Sequence, residues 1–433
     1  MCFVNAASIY TELKCAIGCY YCHKNYNIMK IETGRGYIPL ITLLGIWSIS
    51  ALNALPGLAV SPILGELQKI FPHATELDIQ MLSSLPSLMI IPFVLLAGKL
   101  TERIDNIKLL QVGLVIFVLS GVLYLMSNKM WQLVAISALL GVGSGLIIPL
   151  STGLIGRFFI GRYRTKQFGL SSAITNLTLV IATIITGYLA EVEWHLPFIV
   201  YLLPIVSIIL SFQLRKALSQ APEPSPEGKQ ADTGLRPHVQ VGENGIAVHH
   251  LIEVMLFYGL VTYLVVIVSL NLPFLIEERG MATSLSGTYI SVFFLAIMAP
   301  GFMLNRFIDA WGRSTQLWCM LMIVVGLGLI AVTSNVWLVG LGCVLSGVGY
   351  GIIQPIMYDR TTHIALPHKS TLALACVMAM NYVAILVCPF VVKLFKLIMH
   401  DTSELFAFQL NTFLAALTLL VAFIYRKSAL FDN

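Results

Sequence analysis

The sequence predicts an all-α membrane protein whose twelve transmembrane helices form two pseudosymmetric six-helix bundles. Of 433 residues, 58% are hydrophobic and only 11% are charged, whereas charged residues make up about 25% of an ordinary soluble domain. Apolar runs of about 20 residues, long enough to cross a hydrocarbon core of about 30 Å as helices, recur along the whole chain. A nine-residue phrase also occurs twice, as Gly141-Val142-Gly143-Ser144-Gly145-Leu146-Ile147-Ile148-Pro149 and as Gly347-Val348-Gly349-Tyr350-Gly351-Ile352-Ile353-Gln354-Pro355, with an offset of 206 residues. That offset is close to half the chain, as expected of an internally duplicated fold.

The first six spans are read at 37–61, 78–98, 109–127, 131–155, 168–189 and 196–213, and the second six at 251–275, 284–303, 315–333, 336–358, 371–396 and 404–425. A membrane strand would alternate over about ten residues, and none of these runs does. Lys and Arg in short loops stay cytoplasmic. With the N-terminus inside, the outer loops hold only Lys69, Lys129, Arg279, Lys393 and Lys396 of the 26 basic residues, so both termini are expected in the cytoplasm. The net charge of +5 follows from this asymmetry and gives no reason to expect a nucleic-acid partner. A multi-pass protein of the cell (inner) membrane, monomeric in the bilayer, is expected.

Residues 1–36 read as an N-terminal extension, disordered or upstream of a natural start at Met29-Lys30. Within it, Cys15, Cys19, Cys22 and His23 spell CxxxCxxC and CxxCH, the spacings of a cluster triad and of a haem attachment site. An internal location and the lack of a barrel domain argue against both, and no cofactor or metal is expected. Cys319, Cys343, Cys376 and Cys388 stand singly in spans as packing residues. Residues 215–249 form a linker containing Ala221-Pro222-Glu223-Pro224-Ser225-Pro226-Glu227-Gly228, too poor in apolar residues to fold alone. It separates a bundle at 37–214 from one at 250–427, with 428–433 as a tail.

Alternating glycines strip side chains from a helix surface and let neighbouring backbones approach, which in lipid replaces the hydrophobic force. Gly141, Gly143, Gly145 and Pro149, with Gly347, Gly349, Gly351 and Pro355, are therefore read as helix-packing residues. A second repeat, at nearly the same offset, pairs Gly98-Lys99-Leu100-Thr101-Glu102-Arg103-Ile104-Asp105-Asn106 with Asn305-Arg306-Phe307-Ile308-Asp309-Ala310-Trp311-Gly312-Arg313. An acid followed by a turn residue and a base suits a tight loop between helices.

These motifs resemble the major facilitator superfamily over residues 37–427. The family's loop motif GxLaDRxGRr is matched by Gly98, Leu100, Glu102 and Arg103, departs from it at Asp105, Asn106 and Ile107, and is completed in the second copy by Asp309, Gly312 and Arg313. Its fourth-span motif RxxqGxG resembles the stretch Ser137 to Gly143, with Ser137 where drug antiporters carry arginine, and their GPxxGG is reduced in span 5 to Gly187. The resemblance implies a non-enzymatic secondary transporter like those of the 12-span drug:proton antiporter branch, with two bundles rocking about a central site.

By this resemblance spans 1, 4, 7 and 10 line the cavity, flanked by 2, 5, 8 and 11. The polar and aromatic residues near mid-span there are Asn53, Ser87, Asn176, Tyr263, Asn271, Gln354, Asn381 and Tyr382. They describe a mostly apolar pocket for an uncharged or amphipathic small molecule, and the absence of any mid-span acid leaves a charged solute without a counter-ion. Gly98, Glu102, Arg103, Asp309, Gly312 and Arg313 form the expected cytoplasmic lock. In it Glu102 faces the start of span 11 at Ser370-Thr371, and Asp309 faces the start of span 5 near Gln167. Glu253, Glu66 and Asp78 are read as interfacial, and Glu253, beside His249 and His250, is among them the candidate for coupling to a proton. Export is the leading expectation. A facilitator or importer of a neutral nutrient and a non-transporting membrane receptor or scaffold are the alternatives.

Overall fold

A computed structural model describes residues 30–424, apart from 35, 59–66, 68–69, 72–75, 221–244, 282–283 and 401–402. The N-terminal cysteine motif, Glu66, most of the linker and the tail lie outside the described residues. Helices α1 (Leu40–Ser50), α2 (Glu76–Leu100), α3 (Asn106–Met126), α4 (Met130–Phe158), α5 (Gly161–Val192) and α6 (Pro204–Gln220) precede the linker. Helices α7 (Val248–Glu278), α8 (Ser284–Trp311), α9 (Thr315–Val332), α10 (Val336–His363), α11 (Ser370–Met399) and α12 (Leu405–Ile424) follow it. Among the described residues, eight helical stretches are long and apolar enough to cross a membrane, one of them running through α8 and α9 at Gly287–Val332. Shorter apolar helices join them at Leu40–Ser50, Ser84–Leu100 and Leu196–Phe212.

The chain is an all-α, multi-span, two-lobed structure. One buried core draws on residues from Ile38 to Leu214 and a second on residues from Ile246 to Ala422. Between the lobes lies a small third cluster, in which Ile90, Val94 and Ile148 meet Ala375, Met378 and Ala379.

The repeated glycine phrase occupies equivalent places in the two lobes. A Cβ at Gly141 would sit 2.6 Å from the Pro86 carbonyl oxygen of α2, one at Gly145 2.7 Å from Phe93 Cβ of α2, and one at Gly143 2.9 Å from the Phe117 nitrogen of α3. In the other lobe, Gly347 faces the Phe293 carbonyl of α8 at 2.7 Å, Gly351 faces Ile297 of α8, and Gly349 faces the Cys319 carbonyl of α9 at 2.7 Å. Each fourth helix therefore lies backbone-on-backbone against the second and third of its own lobe, a spacing that only glycine permits. Pro149 and Pro355, the last residues of the phrase, are buried within α4 and α10.

Several boundaries differ from the hydropathy reading, each for a local reason. The first span breaks after Ser50 into turns whose amides bond three residues back, from Leu52 to Ile49 and from Leu55 to Leu52, before a single helical turn at Leu55–Leu58. Pro56 has no amide hydrogen and its ring crowds the carbonyl four residues earlier. The sixth span opens as a 3-10 helix at Leu196–Leu202, and Pro204 then starts an α-helix that reaches Gln220, past the expected linker boundary. Most other helices overrun their apolar runs because hydropathy sees only the part in lipid. Asp309 consequently lies within α8, and the turn itself is Gly312–Ser314, with Gly312 at φ +50°.

Part of the expected extension is a hairpin. Strands β1 (Lys30–Glu32) and β2 (Tyr37–Pro39) pair antiparallel with Ile31 opposite Ile38, and Gly34 turns the chain at φ +84°. The Ile160 amide, between α4 and α5, donates to the Thr33 carbonyl at 3.1 Å. The other lobe repeats this contact, since the Leu366 amide, between α10 and α11, donates to the Gly245 carbonyl at 2.9 Å.

Candidate functional site

Helix periodicity puts Tyr350, Gln354 and Tyr358 on one face of α10 and Tyr258 and Thr262 on one face of α7. These faces meet Asn381 of α11 in a single hydrogen-bonded network. The Tyr258 hydroxyl, fully buried, lies 2.9 Å from the Tyr358 hydroxyl and 3.3 Å from that of Tyr350. Tyr350 donates to Asn381 Oδ1 at 3.0 Å, with Thr262 Oγ1 3.2 Å from the same phenol. The Gln354 amide nitrogen donates to Tyr258 at 3.2 Å and to Tyr358 at 3.3 Å. Across the lobe boundary, Ser172 of α5 donates to Gln354 Oε1 at 2.7 Å. All groups joined in this network are uncharged.

Of the residues read from the sequence as cavity-lining, the structure brings Gln354 and Asn381 into the network. Tyr382 is half-buried beside the cluster between the lobes. Asn53 donates to Ser151 Oγ at 3.0 Å within its own lobe, and Asn176 donates to the Ser172 carbonyl one turn back on α5 at 2.8 Å. Ser87 and Asn271 are half-buried on α2 and α7. Tyr263 is buried in the C-terminal core on the side of Cys388 and Asn411, away from the network. Tyr258, Thr262, Tyr350, Tyr358 and Ser172 were not singled out from the sequence, although the four-residue spacing of Tyr350, Gln354 and Tyr358 was there to be read.

One end of the molecule, carrying the connections α2–α3, α4–α5, α8–α9 and α10–α11, is sealed between the lobes. A Cβ at Gly98 of α2 would meet Ala375 Cβ of α11 at 2.6 Å, and one at Gly153 of α4 would meet Thr371 Oγ1 at 2.8 Å. Glu102 faces Lys369, at the N-cap of α11, with a separation of 3.8 Å. Asp309 is ion-paired with Arg162 at the start of α5, and Asn305 donates to the Arg162 carbonyl at 3.3 Å. Gln167 instead accepts a hydrogen bond from Trp47 at 3.1 Å. Arg103 and Arg313 are exposed.

A more buried ion pair at this end is one the repeats do not contain. Arg164 Nε donates to Asp359 Oδ1 at 2.6 Å, Thr165 donates to Asp359 Oδ2 at 2.6 Å, and the Arg164 guanidinium also meets His363. The side chains of Arg164 and Asp359 are 4% and 17% exposed, against 70% and 59% for Arg162 and Asp309. Removing one partner of a buried pair leaves the other charge short of both its partner and water, so loss of the Arg164–Asp359 pair disturbs the inter-lobe contact more than loss of the exposed one.

Glu253, in the first turns of α7, binds His249 at 3.2 Å and His250 at 3.1 Å and is half-buried. At the opposite end Arg279 donates to the carbonyls of Ile330, Ala331 and Thr333, closing the C-terminus of α9. Partial burial lowers the Arg279 pKa from its ordinary value. Among the described residues no group of three His, Cys, Asp or Glu side chains is placed to hold a metal.

The Major Facilitator Superfamily profile matches residues 42–389 and, in a second alignment, 254–428. The multidrug transporter MdtP of Bacillus subtilis (strain 168) is 33% identical over 132 residues, which is 30% of this chain and 24% of MdtP. The quinolone resistance protein NorA of Staphylococcus aureus (strain Mu50 / ATCC 700699) is 28% identical over 115 residues, which is 27% of this chain and 29% of NorA. The chain thus aligns with less than a third of the length of either relative. The crystal structure of the human organic anion transporter MFSD10 superposes with a TM-score of 0.66 at 17% identity, covering 88% of this chain and 98% of that one.

Proposed function

Because the chain belongs to the Major Facilitator Superfamily, we propose that it exports a small uncharged or amphipathic molecule across the cell membrane by alternating access, using twelve spans in two six-helix bundles. Secondary transport through a multi-pass membrane protein, without enzymatic chemistry, is the work of this family. The observation that carries the finer reading is the neutral network of Tyr258, Tyr350, Tyr358, Gln354 and Asn381 directly behind the buried Arg164–Asp359 tie. A set of phenols and carboxamides, with no charged member, suits a solute that brings hydrogen-bonding groups on an apolar body.

The sealed end bears Lys99, Arg103, Arg157, Lys166, Arg306 and Arg313 among its exposed residues. On the positive-inside rule it is cytoplasmic, and the structure is then closed toward the cytoplasm. The names of the two relatives, a multidrug transporter and a quinolone resistance protein, support export and an amphipathic solute. Glu253 with its two histidines is the candidate for using a proton gradient, and the transporter acts as a monomer.

Everted membrane vesicles containing the protein, offered norfloxacin as a fluorescent amphipathic quinolone together with a panel of neutral dyes, test this. Uptake above that of vesicles lacking the protein, increased by an imposed inward-acid gradient, is expected. Equal uptake with and without the protein for every compound refutes export of this class.

A further inference from the structure

Helices α5 and α10 belong to different lobes and touch along one face each. Residues 164, 168 and 172 recur every four positions on α5, and 354 and 358 on α10 are followed by Asp359 and His363, so each set stacks one turn apart. They pair in order. At the sealed end Arg164 and Thr165 hold Asp359, and Arg164 meets His363. One turn inward the ring of Phe168 meets that of Tyr358 edge-on, with centroids 6.2 Å apart. One turn further, Ser172 donates to Gln354 at 2.7 Å. At 1.5 Å per residue this ladder runs about 12 Å from the ion pair to the tyrosine network.

Tyr358 and Asp359 are consecutive, yet the hydroxyl of the first belongs to the network and the carboxylate of the second to the ion pair. The Tyr358 ring also borders both lobe cores and the cluster between them. Gln354 is divided in the same way, with its oxygen held by Ser172 of one lobe and its nitrogen by Tyr258 and Tyr358 of the other.

We propose that Gln354 and Tyr358 are positioning residues through which occupancy of the central pocket controls the sealed end, an inference that rests on the transport function proposed above. A solute whose N–H or O–H donates to Gln354 Oε1 competes with Ser172 and removes the innermost rung. Loss of that rung weakens the two outside it, because all three share the same pair of helices. The solute class is therefore one that presents a hydrogen-bond donor on an apolar or aromatic body. Coupling is reciprocal, so any change that breaks the Ser172 bond both loosens the sealed end and raises the affinity for the solute.

The test uses the full chain in lipid nanodiscs, as Ser172→Ala, Ser172→Thr and Tyr358→Phe. The reporter is a cysteine at Thr362, whose methyl packs against Gly156 of the other lobe. Its reaction with a water-soluble maleimide is followed on the peptide carrying position 362. No solute is needed for this arm. Loss of one hydrogen bond of ordinary strength corresponds to about a two- to tenfold change in population, so Ser172→Ala and Tyr358→Phe are expected to speed labelling by that factor and Ser172→Thr to leave it unchanged. Norfloxacin is expected to bind Ser172→Ala about two- to tenfold more tightly. Weaker binding to Ser172→Ala makes Ser172 a solute contact and overturns the inference, as does labelling at the unaltered rate in both loss variants. If norfloxacin fails to bind the unaltered protein while the labelling shifts appear, the proposed substrate class falls and the coupling stands.

Discussion

Asp359→Asn removes one charge from the buried inter-lobe pair and leaves its shape. With Arg164 4% and Asp359 17% exposed, the sealed state keeps both groups largely from water. Removing one partner of a buried pair commonly costs about 3–5 kcal/mol. The loss here is smaller, because an asparagine oxygen still accepts from Thr165 and His363 still lies beside the guanidinium. About 1–3 kcal/mol, the range for a hydrogen bond to a charged group and for a desolvated partner left behind, is the appropriate magnitude. In the open state both side chains are hydrated and the substitution is nearly neutral, so the equilibrium is expected to move toward opening by about 5- to 150-fold. Spin labels at the exposed residues Lys99 and His368, one in each lobe, report the separation by double electron–electron resonance. A longer-distance population is expected in Asp359→Asn, with partial reversal on exchanging the charges as Arg164→Asp with Asp359→Arg. An unaltered distance distribution in Asp359→Asn refutes the assignment of this pair as the principal tie.

The more exposed ties are expected to matter less. Surface pairs are worth about 0–1 kcal/mol and are screened by salt, so Glu102→Gln or Asp309→Asn alone should shift the same populations by no more than about fivefold, and less at high ionic strength. Gly141→Ala and Gly347→Ala place a methyl group against backbone and are expected to lower the melting temperature, whereas Gly287→Ala, which meets no atom within 4 Å, does not lower it, alanine being the better helix former. Tyr258→Phe and Asn381→Ala should impair norfloxacin transport while Tyr263→Phe preserves it, which flux in proteoliposomes measures. Glu253→Gln should abolish stimulation by a pH gradient, and stimulation that persists excludes that carboxylate from coupling.

The scaffold was legible because it is written twice. Gly141, Gly143 and Gly145 could be recognised through their copies at Gly347, Gly349 and Gly351, and the Glu102 and Asp309 loops through each other, so a search for internal similarity found both. What it could not find is whatever one half has and the other lacks. At the offset of 206, Arg164 corresponds to Ser370 and Asp359 to Gly153, so the buried ion pair has no echo in the sequence. The break of the first span between Ser50 and Pro56 was hidden for a different reason, since hydropathy weighs side chains and ignores a missing amide hydrogen.

The same asymmetry accounts for the tyrosine network. The counterparts of Tyr350, Gln354 and Tyr358 in the first half are Ser144, Ile148 and Thr152. Ser144 donates to the Leu140 carbonyl at 2.7 Å and Thr152 to the Ile148 carbonyl at 3.3 Å, so both hydroxyls are satisfied within their own helix. Large side chains with polar tips fill the space in the C-terminal lobe, and small or aliphatic ones leave it in the other. Duplication alone would have produced a pocket lined equally from both lobes. The hydrogen-bonding groups of the network instead lie mainly in the C-terminal lobe, and the other lobe reaches them through Ser172 and Phe168.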